Sequence, residues 1–511
     1  MVAQQVGHPK MGEEKMIIRS EKVRFIDILS MLLLRRPITS YRFVEAGDQT
    51  VADFGSTPGD FFVALTEIIQ KALAAAYYPA IYIGAFVEFL LNFIVLNNGI
   101  LGIILNIFRC KLVIPLNREA PNFRSMIALI DGRTELKPIP AVKSAEEENL
   151  VDVENGVCGS DVMPLIQQQY ANAPSYSILE VTMMAAKIAY ENAAYIENVV
   201  NNVWKFHFVG FYSCWNKFVG DHTTQAFVFT NAATDATAIM VAFRGTEPFN
   251  MRDWSTDVNL SWLGMGAMGH VHIGFLKALG LQEEDGKDAG RAFPKTSPNA
   301  TADKPLAYYK LRDVIREQLK KHPKAKVLIT GHSLGGALAA IFPALLALHE
   351  ESEILGKIAA VNTYGQPRVG DKAFGAFLRA KNVPLLRVVY RYDIVPRVPF
   401  DAPPMAEYIH GGTCVYFNGW YTGQIVAAGG DAPNPNYFDP RFMLSMYFNA
   451  WGDLFKGAFL WMKAGKDYRE GAISLLYRAA GLILPGLASH SPRDYVNAER
   501  LGGSKIAGKE P

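Results

Sequence analysis

Lys326-Val327-Leu328-Ile329-Thr330-Gly331-His332-Ser333-Leu334-Gly335-Gly336-Ala337-Leu338-Ala339-Ala340 is the stretch whose reading decides the fold. Its first five residues are a short, β-rich apolar run, the pattern of a buried strand. Its last residues are small and helix-forming. Between them, Gly331-x-Ser333-x-Gly335 places a serine on a tight strand-to-helix turn. Glycines flank it because a strained backbone and a close strand–helix approach leave no room for a Cβ. The free N–H groups at the helix start point where negative charge can gather. The plain alternative is a serine in an ordinary βα turn, and five-residue patterns recur by chance. The strand before and the helix after it are what raise this one above chance.

A strand–turn–helix carrying G-x-S-x-G is the nucleophile elbow of the α/β-hydrolase fold, in which an acid and then a histidine follow the serine along the chain. A serine hydroxyl is a weak nucleophile and needs both, one as base and one to orient it. Acids after Ser333 include Asp371, Asp393, Asp401 and Asp453. Asp393 is favoured, because Leu386–Tyr392 reads as a strand that it terminates and Ile394-Val395-Pro396 breaks. Asp371 is the runner-up, with an alternative reading as a helix N-cap before Lys372-Ala373-Phe374. His349 lies on or just past the elbow helix and cannot turn back. His410 and His490 both remain open on order alone.

The 511 residues allow one large domain with an accessory region, or two domains. Half of them are hydrophobic, and the mean hydropathy of +0.07 is high for a water-soluble enzyme. A formal net charge of +2 gives no global field for nucleic acid, so none is expected as a partner. Cys110, Cys158, Cys214 and Cys414 show no metal-ligand spacing and read as free thiols of a reducing compartment. Lys10, Glu13, Glu14 and Lys15 precede any apolar run, which does not read as a cleavable signal.

Three zones follow from the patterning. Residues 1–136 contain Ala72–Phe108, in which Glu88 is the one charge, bracketed by Lys71 and by Arg109 and Lys111. The run is long enough to enter a membrane. Asn92, Asn97, Asn98, Asn106, Gly99 and Gly102 make it a poor single lipid-facing span. A hairpin of two arms of about 17 residues, each about 25 Å long, fits basic flanks on one side and suits the single monolayer of an oil droplet. Its turn would be Asn97-Asn98-Gly99, which divides the run unevenly. The rival reading is a pair of buried helices. Residues 137–165, with Lys137-Pro138-Ile139-Pro140 and a run of acids, read as a linker. Residues 166–511 read as the α/β domain, with a polar insertion at 282–305 and a second at 443–487. In the second insertion, aromatic and aliphatic residues alternate with lysines as in amphipathic helices, fit for core packing or for a lipid surface.

Gly331-His332-Ser333-Leu334-Gly335-Gly336-Ala337, Thr363-Tyr364-Gly365-Gln366-Pro367-Arg368-Val369-Gly370 and Tyr392-Asp393-Ile394-Val395-Pro396-Arg397-Val398-Pro399 together resemble the class 3, fungal-type triacylglycerol lipases. Upstream, Val241-Ala242-Phe243-Arg244-Gly245-Thr246 and His270-Val271-His272-Ile273-Gly274-Phe275 fit the same family. The resemblance covers about residues 200–500. With the N-terminal zone and Ser491-Pro492-x-x-Tyr495-Val496-Asn497, the whole chain is similar to the plant oil-body lipases.

That resemblance implies an α/β-hydrolase fold with a mostly parallel sheet, a helical lid within Glu247–Leu263, and exposed lid aromatics at Trp254 and Trp262. It implies Ser333 as nucleophile, Asp393 as acid and His490 as base, with His410 structural. The Leu334 amide and, by resemblance, that of Thr246 would form the oxyanion hole; the Thr246 hydroxyl adds a further bond. The 97 residues from Asp393 to His490 exceed the compact family members, and the 443–487 insertion accounts for the excess. Neither metal nor organic cofactor is expected. The implied substrate is an acyl lipid. The implied place is the lipid droplet surface, or the endoplasmic reticulum membrane, with the catalytic domain facing the cytosol. A phospholipase A1 or galactolipase acting on membrane lipid is the rival within the class. An inactive droplet-anchored protein is the rival outside it.

Overall fold

A computed structural model describes residues 14–54, 57, 61–139, 166–167, 174–284, 292–298, 303–426, 430, 432–433 and 440–502. Most of the expected linker, 140–165, lies outside them, as do 285–291 and 299–302 of the 282–305 insertion and Cys158. The described start of the linker is fastened down: Lys137 N–H donates to Glu180 Oε1 at 3.0 Å and Ile139 N–H to the Ser175 carbonyl at 2.8 Å.

Eight strands form the central sheet in the order of the chain: His207–Asn216, Asp221–Thr230, Ala238–Phe243, Lys326–His332, Ile358–Tyr364, Leu385–Tyr390, Thr413–Phe417 and Gly423–Val426. The five central strands are mutually parallel, and the outer pairings are antiparallel. Parallel strands buried on both faces read as continuous apolar runs, as Ala238–Phe243 does at full burial. The elbow strand sits in the middle. Its Gly331 pairs with Phe243 on one side and its His332 with Tyr364 on the other. Three carboxyl ends therefore finish level, where open α/β sheets place their ligand crevice. Helix Leu334–Leu348 is apolar all round and buried along nearly its whole length, within the larger of two cores. The second core, on the other face, gathers helix Ile178–Ile188 with Tyr495 and Val496. This is the α/β-hydrolase arrangement.

The N-terminal region is built into that body. Strand Lys15–Ile18 joins a small antiparallel sheet, pairing with Val44–Ala46 on one edge and Trp262–Gly264 on the other. Met16, Ile18, Ile28, Val63 and Ala64 share a cluster with Leu260, Trp262, Met405 and Tyr408. Trp262, expected as an exposed lid aromatic, is instead buried beneath the N-terminal strand, as is Leu260 beside it.

The apolar run begins within one 36-residue helix, Phe61–Leu96, followed by a turn and the 10-residue helix Gly99–Phe108. The turn falls at the expected asparagines, with Asn98 at φ 61° and Gly99 at φ 87°. The two equal arms do not form. Tyr78, Tyr82, Ile83, Phe86, Ile104 and Phe108 are exposed along these helices.

The asparagines explain the asymmetry. Asn92 Nδ2 donates to the Arg124 carbonyl at 2.8 Å, and its Oδ1 accepts from the Arg124 N–H at 2.9 Å. Asn97 repeats the pattern on Val113, at 2.8 and 3.0 Å. Each amide thus mimics a strand partner for the returning extended chain, giving its backbone N–H and C=O groups the partners that a sheet neighbour would supply. Glu88 accepts from the Met126 N–H at 3.1 Å and pairs with Arg118 at 2.7 Å. Residues that spoil a lipid-facing span are the groups that dock the helix.

The 443–487 insertion forms helices Pro440–Ala464 and Ala472–Ala480, with Pro485–Ala488 leading into the final helix, Pro492–Gly502. Arg478 bridges Glu470 and Asp494, and Arg493 also pairs with Asp494, with all four side chains at most 6% exposed. The two guanidinium groups hold the Asp494 carboxyl far below its ordinary range against the opposing effect of burial.

Two outcomes are expected. Asn92→Leu makes the apolar helix greasier yet loosens it, because the Arg124 N–H and C=O lose their hydrogen-bond partners. The cost is about 1–3 kcal/mol, read as a lower unfolding midpoint and faster proteolysis between 109 and 125. Asp494→Asn leaves two buried guanidiniums undercompensated and costs about 3–5 kcal/mol. Because the wild-type carboxyl has a depressed pKa, its contribution is complete above pH 4 and lost progressively below it. The variant therefore shows a shallower acid dependence of the unfolding midpoint.

Candidate active site

Ser333 closes the elbow strand at φ 59° and ψ −133°, a conformation that L residues adopt only under constraint. The Ser333 N–H donates to the Tyr364 carbonyl at 2.9 Å, and the Ser333 carbonyl accepts from Gly336 N–H at 2.8 Å. The helix beginning at Leu334 follows directly, so the Leu334 amide is one of its unpaired first N–H groups. The loop after strand Ala238–Phe243 presses against this turn. A Cβ on Gly335 would come within 2.3 Å of the Phe243 carbonyl oxygen, and one on Gly245 within 2.5 Å of the His332 carbonyl oxygen. Thr246, the residue after Gly245, is thereby brought to the elbow.

Asp393 is fully buried just past strand Leu385–Tyr390. The turn forms through Asp393 N–H donating to the Tyr390 carbonyl at 3.0 Å. Its carboxylate has three partners. Oδ1 accepts from Val395 N–H at 2.8 Å, and Oδ2 accepts from the Tyr495 hydroxyl at 2.5 Å. Oδ2 also lies 2.7 Å from His490 Nδ1. A carboxylate there fixes the tautomer with the proton on Nδ1 and leaves Nε2 as a base. The His490 ring sits 4.4 Å from that of His332, the residue before the serine. Ser333 Oγ and His490 Nε2 are both buried and have no hydrogen-bond partner among the described residues.

The other candidates fall elsewhere. Asp371 caps helix Lys372–Ala380, accepting from Phe374 N–H at 2.9 Å. His410 is buried with Nε2 2.7 Å from the Pro396 carbonyl. His349 is held by Tyr308 and the Phe293 carbonyl. His332 bridges the Tyr190 hydroxyl at 2.8 Å and the His490 carbonyl at 2.9 Å. Burial keeps it neutral, its pKa far below the ordinary imidazole value. Sequence patterning gives no signal for Tyr190; it lies in the turn after helix Ile178–Ile188, with nothing local to mark a polar role.

Helix Met251–Val258 covers the site. Its Trp254 ring stands edge-on to His490, with centroids 6.0 Å apart. Its Asp257 is fully buried and accepts from the Thr246 hydroxyl at 3.0 Å. The further bond expected from that hydroxyl was to the oxyanion; in the closed site the hydroxyl is instead spent on Asp257, a pairing that depends on how the helix folds back. Burial raises the Asp253 carboxyl to about 6 and, together with Asp253 nearby, holds Asp257 well above the carboxylate range. With Ser333 at 1 % exposure, the site is closed.

Asp393→Asn should lower kcat on a soluble ester by about 10³–10⁴-fold, since the imidazole loses its tautomer control. Asp371→Asn should stay within about twofold, because asparagine caps a helix as well as aspartate does. A pH effect follows from the cover. Lifted into water, Asp253 and Asp257 return to an ordinary carboxylate pKa near 4. Raised pKa values in the closed form favour closure at low pH, and that preference is lost as pH rises from about 4 through 6. Amide exchange in residues 251–258, corrected for intrinsic rates, should be less protected at pH 6.5 than at 4.5. Asp253→Asn should flatten the difference.

Comparison with known proteins supplies the family. The model of the class 3 lipase family matches residues 240–402, which hold the elbow, Thr246 and Asp393. "Triacylglycerol lipase OBL1" of Nicotiana tabacum is 36% identical over 504 residues, covering 88% of this chain and 84% of the relative. The protein of the same name from Arabidopsis thaliana is 34% identical over 97% of this chain and 96% of its own length. Among solved structures, the triacylglyceride lipase of Rhizomucor miehei overlaps 46% of this chain and 77% of its own, at 23% identity and a TM-score of 0.34. With more than a third of its residues shared along most of the length of a plant lipase, the chain belongs to the class 3 lipase family.

Proposed function

We propose that this chain is a triacylglycerol lipase acting at the surface of a lipid droplet through a serine acyl-enzyme. The observation that carries the reading is the buried Asp393–His490 hydrogen bond of 2.7 Å beside a strained serine elbow. The relatives named triacylglycerol lipase, matched over nearly the whole chain, support the substrate class.

In this reading Ser333 is the nucleophile, His490 the base and Asp393 the orienting acid. His490 Nε2 takes the Ser333 proton as Oγ bonds to the ester carbonyl carbon. Asp393 stabilises the imidazolium. The Leu334 and Thr246 amides receive the oxyanion, the first from a helix start and the second from the loop pressed against it. The C–O bond to glycerol breaks, and His490 protonates the departing diacylglycerol oxygen. Water then repeats the sequence on the acyl-enzyme and frees the fatty acid. The hydrolase occupies 166–511, and 1–136 carries the lipid-associating segment 72–108. The exposed apolar faces of Phe61–Leu96 and Gly99–Phe108 support contact with a droplet monolayer, or with the endoplasmic reticulum membrane, the catalytic domain facing the cytosol.

Ser333→Ala should abolish hydrolysis of emulsified triacylglycerol while the unfolding midpoint holds or rises; unchanged hydrolysis would refute the assignment. Joint replacement of the exposed Leu101, Ile104 and Phe108 by Asp should shift the protein from floating oil bodies to the soluble fraction, with hydrolysis of a soluble ester intact. Retention on the oil bodies would move the attachment to the exposed face of Pro440–Ala464.

A further inference from the structure

The helix that covers the site is fastened at both ends by the N-terminal region. Ahead of it, Phe249 lies against Gly84, in the middle of helix Phe61–Leu96. A Cβ built on Gly84 would meet Phe249 Cγ at 2.5 Å and Phe249 Cβ at 2.7 Å, so only glycine lets the two segments close. The long helix and the covering helix pack along one another from there. Behind it, Ile18 N–H donates to Ser261 Oγ at 2.8 Å, and Met16 and Lys15 pair with Trp262 and Leu263. Leu260 and Trp262 are buried in the cluster that holds Val63 and Ala64 of the same long helix.

Gly84 has exposed apolar neighbours on its own helix. Ile83 is 57% exposed and Phe86 65%. One face of that turn therefore seats the cover while the adjoining faces are free to meet acyl chains. Nothing in the catalytic cycle requires Phe249, Gly84 or strand Lys15–Ile18.

We propose that the N-terminal region is the latch of the active-site cover, and that a neutral-lipid surface engaging helix Phe61–Leu96 releases it by displacing Phe249 from Gly84. This rests on the lipase reading above and adds the element that couples lipid contact to opening. The strand behind the cover keeps its exit fixed, so opening is a swing about Asn259–Ser261 that separates Phe249 from the long helix. In the open state acyl chains take the place of Phe249 beside Gly84, and Phe249 and Trp254 gain lipid contact. Those contacts exist only with the cover open, which is the differential affinity a ligand needs to shift such an equilibrium. The coupling is reciprocal: a cover that cannot leave Gly84 denies the lipid surface its open state.

A reversible cross-link tests this directly. Gly84→Cys and Phe249→Cys are combined in a protein lacking Cys110 and Cys158. A disulfide needs its Cβ atoms about 3.8 Å apart, so a small outward shift from the present contact suffices. Once the bond is verified by mass mapping, the oxidised protein should lose at least about tenfold of its hydrolysis of emulsified triacylglycerol and regain it on reduction. Full activity of the cross-linked form would overturn the latch. Phe249→Ala supplies an independent readout: hydrolysis of a water-soluble short-chain ester, without an interface, should rise severalfold, so that the emulsion-to-soluble ratio falls. An unchanged ratio would also overturn it. Wild-type hydrolysis of the emulsion is the control; if it is absent, the lipase reading fails and the latch with it.

Discussion

Where strand Ala238–Phe243 and strand Lys326–His332 end side by side, the backbone that leaves one and the helix that leaves the other touch without any side chain between them. Gly335 against the Phe243 carbonyl and Gly245 against the His332 carbonyl set that contact. Side chains at either position would push the loop outward by more than an ångström. Thr246 would then leave the serine, and the cover would lose Asp257's anchor, since that carboxyl is held by the Thr246 hydroxyl. The site and its cover thus share one steric constraint.

The final helix depends on a second arrangement. His490 sits at its approach, with the 443–487 insertion lying between it and Asp393 in the chain. The insertion returns to the site through charge: Glu470 and Arg478 on one side meet Arg493 and Asp494 on the other. Arg493 and Asp494 lie three and four residues past His490 at the start of the final helix, Arg478 lies on helix Ala472–Ala480, and Glu470 lies just before that helix. Such a buried cluster adds little net stability against an apolar alternative, but it demands one geometry. A long insertion can then sit between two halves of an active site without loosening it.

The parts of this molecule visible in its sequence are those whose physics is local. The elbow announces itself through glycine spacing, and Asp393 through a strand that ends on it. Asp371 could be read both ways, and the competing cap reading is the one the backbone adopts. His490 was indistinguishable from His410 until a family pattern separated them, because what selects it is an approach across 97 residues. Asn92 and Asn97 read as defects in a lipid-facing span, when their partners lie 32 and 16 residues away, respectively, in an extended segment. Trp262 looked like an exposed lid residue, and it is buried under a strand from the far N-terminus. Long-range pairing leaves no periodic trace, and each misreading arose there.

The backbone at Ser333 carries a cost of its own. A φ of 59° with ψ of −133° suits glycine and strains any residue bearing a Cβ, by about 1–3 kcal/mol. On the proposed mechanism, the sequence that would fold best and the sequence that performs chemistry differ at that one position. A lineage released from the need to hydrolyse lipid would gain stability by replacing this serine with glycine, so a serine kept there is itself a record of use.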